Sequence, residues 1–509
     1  MPSTAANDLR ETPRGRAAWL AAGAAALIAF SLSVAASAPF AGDSATYYVD
    51  SARGDDANPG TESQPWKTVE RASQAADSLA PGGAILFRRG AKWSKGALNV
   101  RGVKGTEQRP IVIGAYGPPD EPRPHIEGCK IAIADSEHIE VRDLEMSHST
   151  SGGCLSADRS GYLTVYNNIV HDCASNGIVY HAAVHHTATV QNVVYNIQAN
   201  DGISIHDVNW IDPPQPVGSH HWVIDNIMPG NYREDAIDAA TNDWPGGQPA
   251  GEDIKIINNR CYGARLSGIV VGHEARRVWV IGNTISRCGQ TGSMALKLGN
   301  ETNLALVHVS GNLLVDNVRG VQIRGGSGRF ERNTVIHREP GRIPVMIDKN
   351  ADGLAILGNL ILTAGAGWIQ IDDGLDKRDA IRMDGNWYGF LPQANDAPQR
   401  LTHNGAHDLA AWREGFGWDA HSEFGPVPGI EMPGEIEPDP TKWDQDFLAA
   451  FVPAPQWPGF AMETGPAGAF GRGGERLGMD IQPFEDYEEN GGYGWPGPKI
   501  VRERHPLPR

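Results

Sequence analysis

The chain is short of positive charge and of cysteine. Its 509 residues include 44 Lys and Arg against 61 Asp and Glu, a formal net charge of −17. Because so acidic a protein is repelled by phosphate backbones, we expect no nucleic-acid partner. The five cysteines show no CxxC spacing, which argues against a zinc site of that type. We therefore expect buried core cysteines, of which two can form a disulfide.

Long apolar segments are absent after residue 41. Before it, Arg14 and Arg16 precede an apolar stretch from Ala17 to about Ala36, which small residues follow. This order is typical of a secretory signal peptide, and the length of the stretch also suits an uncleaved membrane anchor. With either alternative for residues 1–41, we expect the rest of the chain to be exported to the periplasm or the cell exterior.

Helical periodicity is missing from the middle of the chain, where asparagine recurs instead. Successive members of this series are 21 to 34 residues apart, about one turn of a solenoid with variable loops. Apolar residues between them alternate with period two, as at Ile203 and Ile205, which indicates short strands. The series is Asn168, Asn192, Asn226, Asn259, Asn283, Asn312, Asn333, Asn359 and Asn386.

This pattern predicts an all-β chain folded as a right-handed parallel β-helix of roughly ten to twelve coils. The asparagines then stack at a coil corner, about 4.8 Å apart along the axis, where each amide bonds the backbone and the next amide. We assign residues 42–82 to an N-terminal cap, 83–390 to the β-helix and 391–509 to a C-terminal cap region rich in Pro, Gly and Trp.

Both caps contain a predicted helix. Trp66, Val69, Ala72, Ala76 and Leu79 lie on one helical face, which should plug the open end of the β-helix and end at Pro81-Gly82-Gly83. Near the other end, residues 407–413 read as a short helix with an aspartate at residue 408 near its N-cap.

The segment before the asparagine series resembles a known superfamily. It contains YYVDSARGDDANPGTESQPWKTVERA, then APGGAILFRRG, then GTEQRPIVIGAYG and HIEG. These motifs look like the amino-terminal part of bacterial right-handed parallel β-helix proteins of the pectate-lyase superfamily, and the resemblance covers residues 46 to about 390. The superfamily includes lyases, hydrolases and epimerases, so the resemblance implies the fold and a carbohydrate-related function, but no single reaction.

One outward-facing column of side chains is predicted to line a groove. The first and third residues of each strand after a small residue should face the core, so the second and fourth face outward. Ala240 and Gly272 leave a notch in this column wide enough for a sugar ring. Read coil by coil, the fourth residues are Asp158, His181, His206, Ala240, Gly272, Lys297, Arg324, Asp348 and Asp372.

Four carboxylates gather beside this column, namely Asp201, Glu234, Asp235 and Asp238. Anionic oxygens on adjacent coils raise one another's pKa unless a cation is present, so we expect them to bind Ca²⁺. The alternative is that they pair with arginines. The EDAID run is also similar to the calcium pocket of a calcium-dependent pectate lyase family, in which an aspartate stands where this chain has Glu234.

A second resemblance concerns Lys297 and Arg324. The segments ALKLGNETN and GVQIRGG look like the catalytic Lys and Arg segments of chondroitinase-B-like and alginate lyases. The resemblance implies that Lys297 is a base and Arg324 its partner. The chain departs from that family at Gly292, where the family carries an acidic residue.

These residues predict a polysaccharide lyase that cleaves an acidic, uronate-containing polymer by β-elimination. Lys297 would remove the C5 proton, while a cation or Arg324 neutralises the uronate carboxylate. Three alternatives stay open: a C5-epimerase using His206 and His181, a hydrolase using Asp201, Asp235 and Asp238, or a non-catalytic exopolysaccharide-binding β-helix. We expect the protein to act as a monomer.

Overall fold

A computed structural model describes residues 44–425, except 182, 206–217, 240–250, 273–274, 300–304, 339–341, 366, 376–379 and 392–400. Within these residues the chain passes repeatedly through three sheets, named A, B and C, of 13 strands each. Each strand pairs with its equivalent in the next coil, so the described chain is a parallel β-helix. The predicted all-β fold, a parallel β-helix, is confirmed within the described residues.

Sheet A has the longest strands, most of them five to seven residues long. Its members are Thr46–Val49, Ala84–Arg88, Ile111–Tyr116, Glu137–Arg142, Gly161–Tyr166, His185–Val190, Ser219–Ile224, Glu252–Ile257, Arg276–Ile281, Ala305–Ser310, Gly326–Glu331, Ala351–Leu357 and Ile381–Asp384.

Sheet B follows sheet A in each coil and has short strands. Its members are Lys92–Trp93, His125–Glu127, Glu145–Ser147, Ile169–His171, Val193–Tyr195, Ile227–Met228, Arg260–Tyr262, Thr284–Ser286, Leu313–Val315, Thr334–His337, Leu360–Thr363, Trp387–Phe390 and Glu423–Phe424.

Sheet C completes the coil, and its last strand alone among those described is antiparallel to its neighbour. Its members are Ala97–Arg101, Lys130–Ala134, Leu155–Asp158, Ile178–Tyr180, Ile203–Ile205, Ile237–Ala239, Ile269–Val271, Leu296–Leu298, Val321–Ile323, Val345–Ile347, Ile369–Ile371, Leu401–Thr402 and Ala406–His407.

The predicted asparagine ladder lies at the corner between sheets A and B. From Asn168 to Asn359, each Nδ2 donates to the Oδ1 of the next asparagine at 2.9–3.1 Å. Each Nδ2 also donates to a backbone carbonyl, as Asn192 does to Val165 at 2.9 Å. The residue before each ladder asparagine turns the corner in the left-handed region, for example Asn167 at φ 53° and Asn258 at φ 56°. The ladder is confirmed.

Helix α1, Val69–Ala76, closes the N-terminal end. Thr68 caps it by accepting from the Arg71 N–H at 3.1 Å, and its buried face joins the core. Two helix-side acceptors serve the first strand of sheet C: Ser73 Oγ accepts from the Asn99 N–H at 3.0 Å, and Asp77 Oδ1 from the Arg101 N–H at 2.8 Å. An otherwise unpaired strand edge is thereby covered.

The predicted end of this helix at Pro81 was wrong. The helix stops at Ala76 with Asp77 as its C-cap. Asp77 turns to the strand edge instead of continuing the helix, and Ser78 Oγ bonds back to the Ala75 carbonyl at 2.7 Å. Leu79 is still buried, 5% exposed, because the turn carries it onto the core.

The C-terminal end of the ladder meets a buried carboxylate. Asn386 Nδ2 donates to Asp419 Oδ1 at 2.9 Å, while the Tyr388 hydroxyl and the Trp412 indole donate to Asp419 Oδ2. Burial raises the pKa of Asp419 above its usual range. Trp412 belongs to helix α2, Leu409–Phe416, whose predicted N-cap Asp408 accepts from the Ala411 N–H at 2.8 Å.

The cysteines behave as predicted. Cys154 and Cys173 form a disulfide, and Cys129, Cys261 and Cys288 are buried thiols. Neither helix in the described part of the chain is long and apolar enough to cross a membrane. The predicted signal peptide or anchor, residues 1–41, lies outside the described residues.

Candidate active site on sheet C

Inward and outward positions alternate on sheet C as predicted. Leu296 and Leu298 are at most 1% exposed and face the core, whereas Lys297 between them is half-buried on the outer face. Most strands of this sheet follow a small residue because the backbones of neighbouring coils approach closely there and leave little room for a side chain. A Cβ at Gly202 would lie 2.6 Å from the Ala236 carbonyl oxygen of the next coil.

The predicted register of Lys297 was wrong. Lys297 pairs with Gln322, and Gly299 occupies the position beside Arg324. A shift of two residues preserves the inward and outward alternation, so a period-two pattern cannot detect it. The small residues Gly292, Ser293 and Ala295 before this strand leave its starting point ambiguous in the sequence.

Arg324 faces the next coil, away from Lys297's position. Its Nε lies 3.2 Å from Asp348 Oδ2, and both side chains are about a quarter exposed. Lys297 and Arg324 therefore share the outer face, but not the same row, and the guanidinium is paired with a carboxylate.

The other members of the predicted column occupy the predicted position after their strands, as far as the structure describes them. His181 follows its strand directly and donates its N–H to the Ala157 carbonyl at 2.8 Å. Asp348 and Asp372 do the same in later coils, at 2.9 and 2.8 Å. His206 and Ala240 lie outside the described residues, so the epimerase prediction that depends on His206 stays a prediction.

Three of the four predicted carboxylates come together. Asp201, Asp235 and Asp238 each offer an oxygen within 4.8 Å of the others. Asp238 occupies the outward middle position of its strand, in register with Ser204 on one side and Val270 on the other. Glu234 is not a member of this group, although it is adjacent in sequence.

Asp201 and Asp235 also build a second corner ladder, before sheet C. The Asp201 N–H donates to Asn176 Oδ1 at 3.1 Å, and the Asp235 N–H donates to Asp201 Oδ1 at 3.1 Å. The Ser267 N–H continues the series by donating to Asp235 Oδ1. The backbone thus holds the two carboxylates on consecutive coils, side by side.

Burial and mutual repulsion set the charge of this cluster. Asp201 and Asp238 are 1% and 8% exposed, and Asp235 reaches the surface as a half-buried side chain. Burial, followed by the nearby Asp201 carboxylate, raises the pKa of Asp235 to about 7. A carboxylic acid that keeps its proton near neutrality can act as a proton donor.

The same donor set fits calcium. Carboxylate oxygens are the ligands that Ca²⁺ prefers, and at Ca–O distances of about 2.3–2.6 Å its ligand oxygens lie up to about 5 Å apart. The three oxygens within 4.8 Å meet that requirement. The residues that would hold the ion are Asp201, Asp235 and Asp238.

Sequence reasoning missed the corner ladder and the partner row of Asp238. The signal for the ladder was the residue immediately before each small residue, which reads Asn176, Asp201, Asp235 and Ser267 in successive coils. The row of Asp238 continues through Val270 to Lys297. Two strand spacings, roughly 9.6 Å, separate the backbones of Asp238 and Lys297.

Comparisons with known proteins give distant or partial matches. No protein-family profile matches the chain. A lacto-N-biosidase of Bifidobacterium longum subsp. longum is 43% identical over 82 residues, which are 16% of this chain and only 5% of that protein. The solved GH136 lacto-N-biosidase from Eubacterium ramulus has 17% identity and a TM-score of 0.47, covering 72% of this chain and 68% of that one. A solved pectate lyase has 12% identity and a TM-score of 0.39, with 76% and 82% covered.

Proposed function

We propose that this protein is a carbohydrate-active enzyme that hydrolyses a glycosidic bond at the cluster of Asp201, Asp235 and Asp238. The observation that carries the proposal is the convergence of three carboxylates from two consecutive coils on sheet C. Glycosidases use two carboxyl groups on either side of the scissile bond, and here the oxygens lie within 4.8 Å of one another.

Each carboxylate has a distinct role in this proposal. Asp235 donates its proton to the glycosidic oxygen, because burial and Asp201 keep it protonated near neutral pH. Asp238, on the outward face, attacks the anomeric carbon as the leaving sugar departs, and water activated by Asp235 then releases the second sugar. Retaining enzymes have carboxyl groups about 5–5.5 Å apart, so we expect retention of the anomeric configuration.

The similarity to a lacto-N-biosidase supports the class of reaction, since 43% identity over 82 residues is well above chance resemblance. That stretch is a small part of the named protein, and the substrate of this chain is not inferred from it. We also propose that the protein acts outside the cytoplasm, because the Cys154–Cys173 disulfide requires an oxidising compartment. The caps at both ends of the described solenoid support a monomer.

A uronate lyase is the second candidate, favoured by the row that Asp238 shares with Lys297. Calcium bound by the three aspartates would supply charge neutralisation for a substrate carboxylate. Lys297, two coils away on the same outer row, would then take the C5 proton of an acidic polysaccharide. The pairing of Arg324 with Asp348 makes this candidate weaker, because the predicted arginine partner is engaged elsewhere.

Substitution of the aspartates tests the hydrolase proposal. We expect Asp235→Asn and Asp238→Asn to reduce turnover by about 10²- to 10⁴-fold, as for lost acid–base catalysis, with unchanged melting. The amide oxygen introduced by Asp235→Asn would still accept the Ser267 N–H, so the corner is preserved. The matched control is Asp372→Asn, an exposed aspartate in the outer column of the same sheet, which should remain active.

Chelation separates the two candidates. If hydrolysis is metal-independent, EDTA leaves turnover unchanged and Lys297→Met remains active. Loss of activity with EDTA together with loss in Lys297→Met would replace the hydrolase with the lyase. Full activity of Asp238→Asn would refute both.

A further inference from the structure

Three metal-ligating side chains meet on the outward face of sheet B, remote in sequence from the carboxylate cluster. His125, Glu145 and His171 lie on the strands His125–Glu127, Glu145–Ser147 and Ile169–His171 of three consecutive coils. One ligand atom from each is within 4.8 Å of the other two. This group brings together two imidazoles and one carboxylate.

The distances inside the group suit a tetrahedral ion. His171 Nε2 lies 3.2 Å from Glu145 Oε1, and His125 Nδ1 lies 3.6 Å from the same oxygen. Zinc binds imidazole nitrogen and carboxylate oxygen at about 2.0–2.2 Å, which places neighbouring tetrahedral ligands roughly 3.4 Å apart. The separations of 3.2 and 3.6 Å lie on either side of that value.

The second nitrogen of each imidazole already has a partner. His171 Nδ1 is 2.5 Å from Asp172 Oδ2, and His125 Nε2 is 2.7 Å from Ser147 Oγ. Histidines that bind metals usually donate their other N–H to a carboxylate or another acceptor, which fixes the tautomer and the ring orientation. The Tyr195 ring, stacked 4.9 Å from His171, holds that imidazole in place as well.

Access and ligand type narrow the choice of ion. The side chains of His171, His125 and Glu145 are 11%, 18% and 27% exposed, so the group is shielded yet open to water on one side. Three protein ligands and one water complete a four-coordinate site. Imidazole nitrogens favour Zn²⁺ and related transition ions over Ca²⁺.

We propose that His125, Glu145 and His171 form a binding site for a divalent transition-metal ion of the Zn²⁺ type. Because its ligands come from three consecutive coils, the ion fastens the N-terminal coils together beside the Cys154–Cys173 disulfide. The site is independent of the hydrolytic centre.

A second His–Glu pair provides the control. His308 Nε2 lies 3.1 Å from Glu331 Oε1, close to the 3.2 Å between His171 Nε2 and Glu145 Oε1, and the side chains of His308 and Glu331 are 15% and 9% exposed. This pair on sheet A belongs to no group of three metal-ligating side chains within the described residues. If His171 and Glu145 formed only an ion pair, substitutions at the two sites would have the same effect on Zn²⁺ binding. If they belong to a metal site, only substitutions in the group of His125, Glu145 and His171 should weaken Zn²⁺ binding.

Calorimetric titration of the whole protein with ZnCl₂, after removal of bound metals by a chelator, tests the proposal. We expect one Zn²⁺ per chain, a rise in Tm on binding, and a loss of affinity of at least about tenfold in His125→Gln, His171→Gln and Asp172→Asn. His308→Gln and Asp235→Asn should bind Zn²⁺ like the wild type. Ca²⁺ should not compete.

Cobalt spectroscopy on the unsubstituted protein keeps the test independent of variants that fail to fold. Tetrahedral Co²⁺ bound to two imidazoles and a carboxylate gives strong visible d–d absorption, which Zn²⁺ should displace. No Zn²⁺ binding by the wild type, or equal loss in His308→Gln and His125→Gln, would overturn the proposal and leave the group as an ion-pair network.

Discussion

At the scale of the residue, one amide per coil carries much of the fold. Asn259 shows the bonding: its Nδ2 donates to the Val223 carbonyl and to Asn283 Oδ1, and its Oδ1 accepts from the backbone and side chain of Asn226. All four bonds are buried, so no water can replace them.

Asn259→Ala should lower the free energy of unfolding by about 3–5 kcal/mol, because several buried polar groups lose their partners at once. Denaturant unfolding measures it. The exposed amide Gln290→Ala is the control and should cost little. A loss in Asn259→Ala no larger than the control would show that the ladder is not needed for stability.

His221 should make stability depend on pH. It is 1% exposed, and burial, with the neighbouring His220, lowers its pKa to about 3. Between about pH 6.5 and 3 the unfolded chain binds a proton there that the folded chain does not, so stability falls as the pH falls. His221→Gln should reduce the slope of the unfolding free energy against pH by up to about 1.4 kcal/mol per pH unit in this range.

Urea unfolding at several pH values in the presence of a chelator checks the slope. The exposed His148→Gln is the control and should keep the wild-type slope. If His221→Gln keeps it as well, the acid sensitivity originates elsewhere.

The residues of the site were predictable to different degrees. The aspartates were found because carboxylates cluster in two consecutive coils beside the outward column, whereas Lys297 was placed two residues out of register. The charge state of Asp235 could not be predicted from the sequence, because its pKa depends on burial and on the nearby Asp201 carboxylate.

At the scale of the element, short strands depend on their corners and ends. Strands of three residues form few backbone hydrogen bonds with their neighbours. The side chains at the corners and at the sheet edge therefore decide where each strand lies. Helix α1 illustrates this, because Ser73 and Asp77 serve as acceptors for the first strand of sheet C. Its apolar face was predictable from sequence, but the early stop was not, since Asp77 is recruited by a strand more than twenty residues away.

Removing these acceptors with Ser73→Ala and Asp77→Ala together should destabilise the N-terminal coil by about 1–2 kcal/mol, because the partly buried Asn99 N–H loses its partner and the exposed Arg101 N–H exchanges its acceptor for water. Exposure of that edge should also promote self-association. Hydrogen exchange at residues 97–101 and sedimentation velocity measure the two effects. Glu107→Ala, an exposed turn residue, is the control; equal exchange in both proteins would contradict the capping role.

At the scale of the whole molecule, a repeat that is visible in the sequence produces a main hydrophobic core that continues through the described coils. The stacking of coils was predictable because asparagine spacing and alternation agree, and the register error at Lys297 concerns a strand whose start is obscured by small residues. The solenoid brings residues of separate coils to one outer face, and that is how Asp201, Asp235 and Asp238 become a single centre. The proposed metal group on sheet B arises in the same manner from residues that sequence inspection did not connect.

Mass spectrometry of the products tests the central claim most directly. The wild type and Asp238→Asn would be incubated with a panel of neutral and uronate-containing oligosaccharides of known mass. Hydrolysis adds one water across the cleaved bond, so the account predicts two fragments whose masses sum to substrate plus water, absent with Asp238→Asn. Fragments that sum to the substrate alone, one of them unsaturated, would contradict hydrolysis, and so would unchanged cleavage by Asp238→Asn.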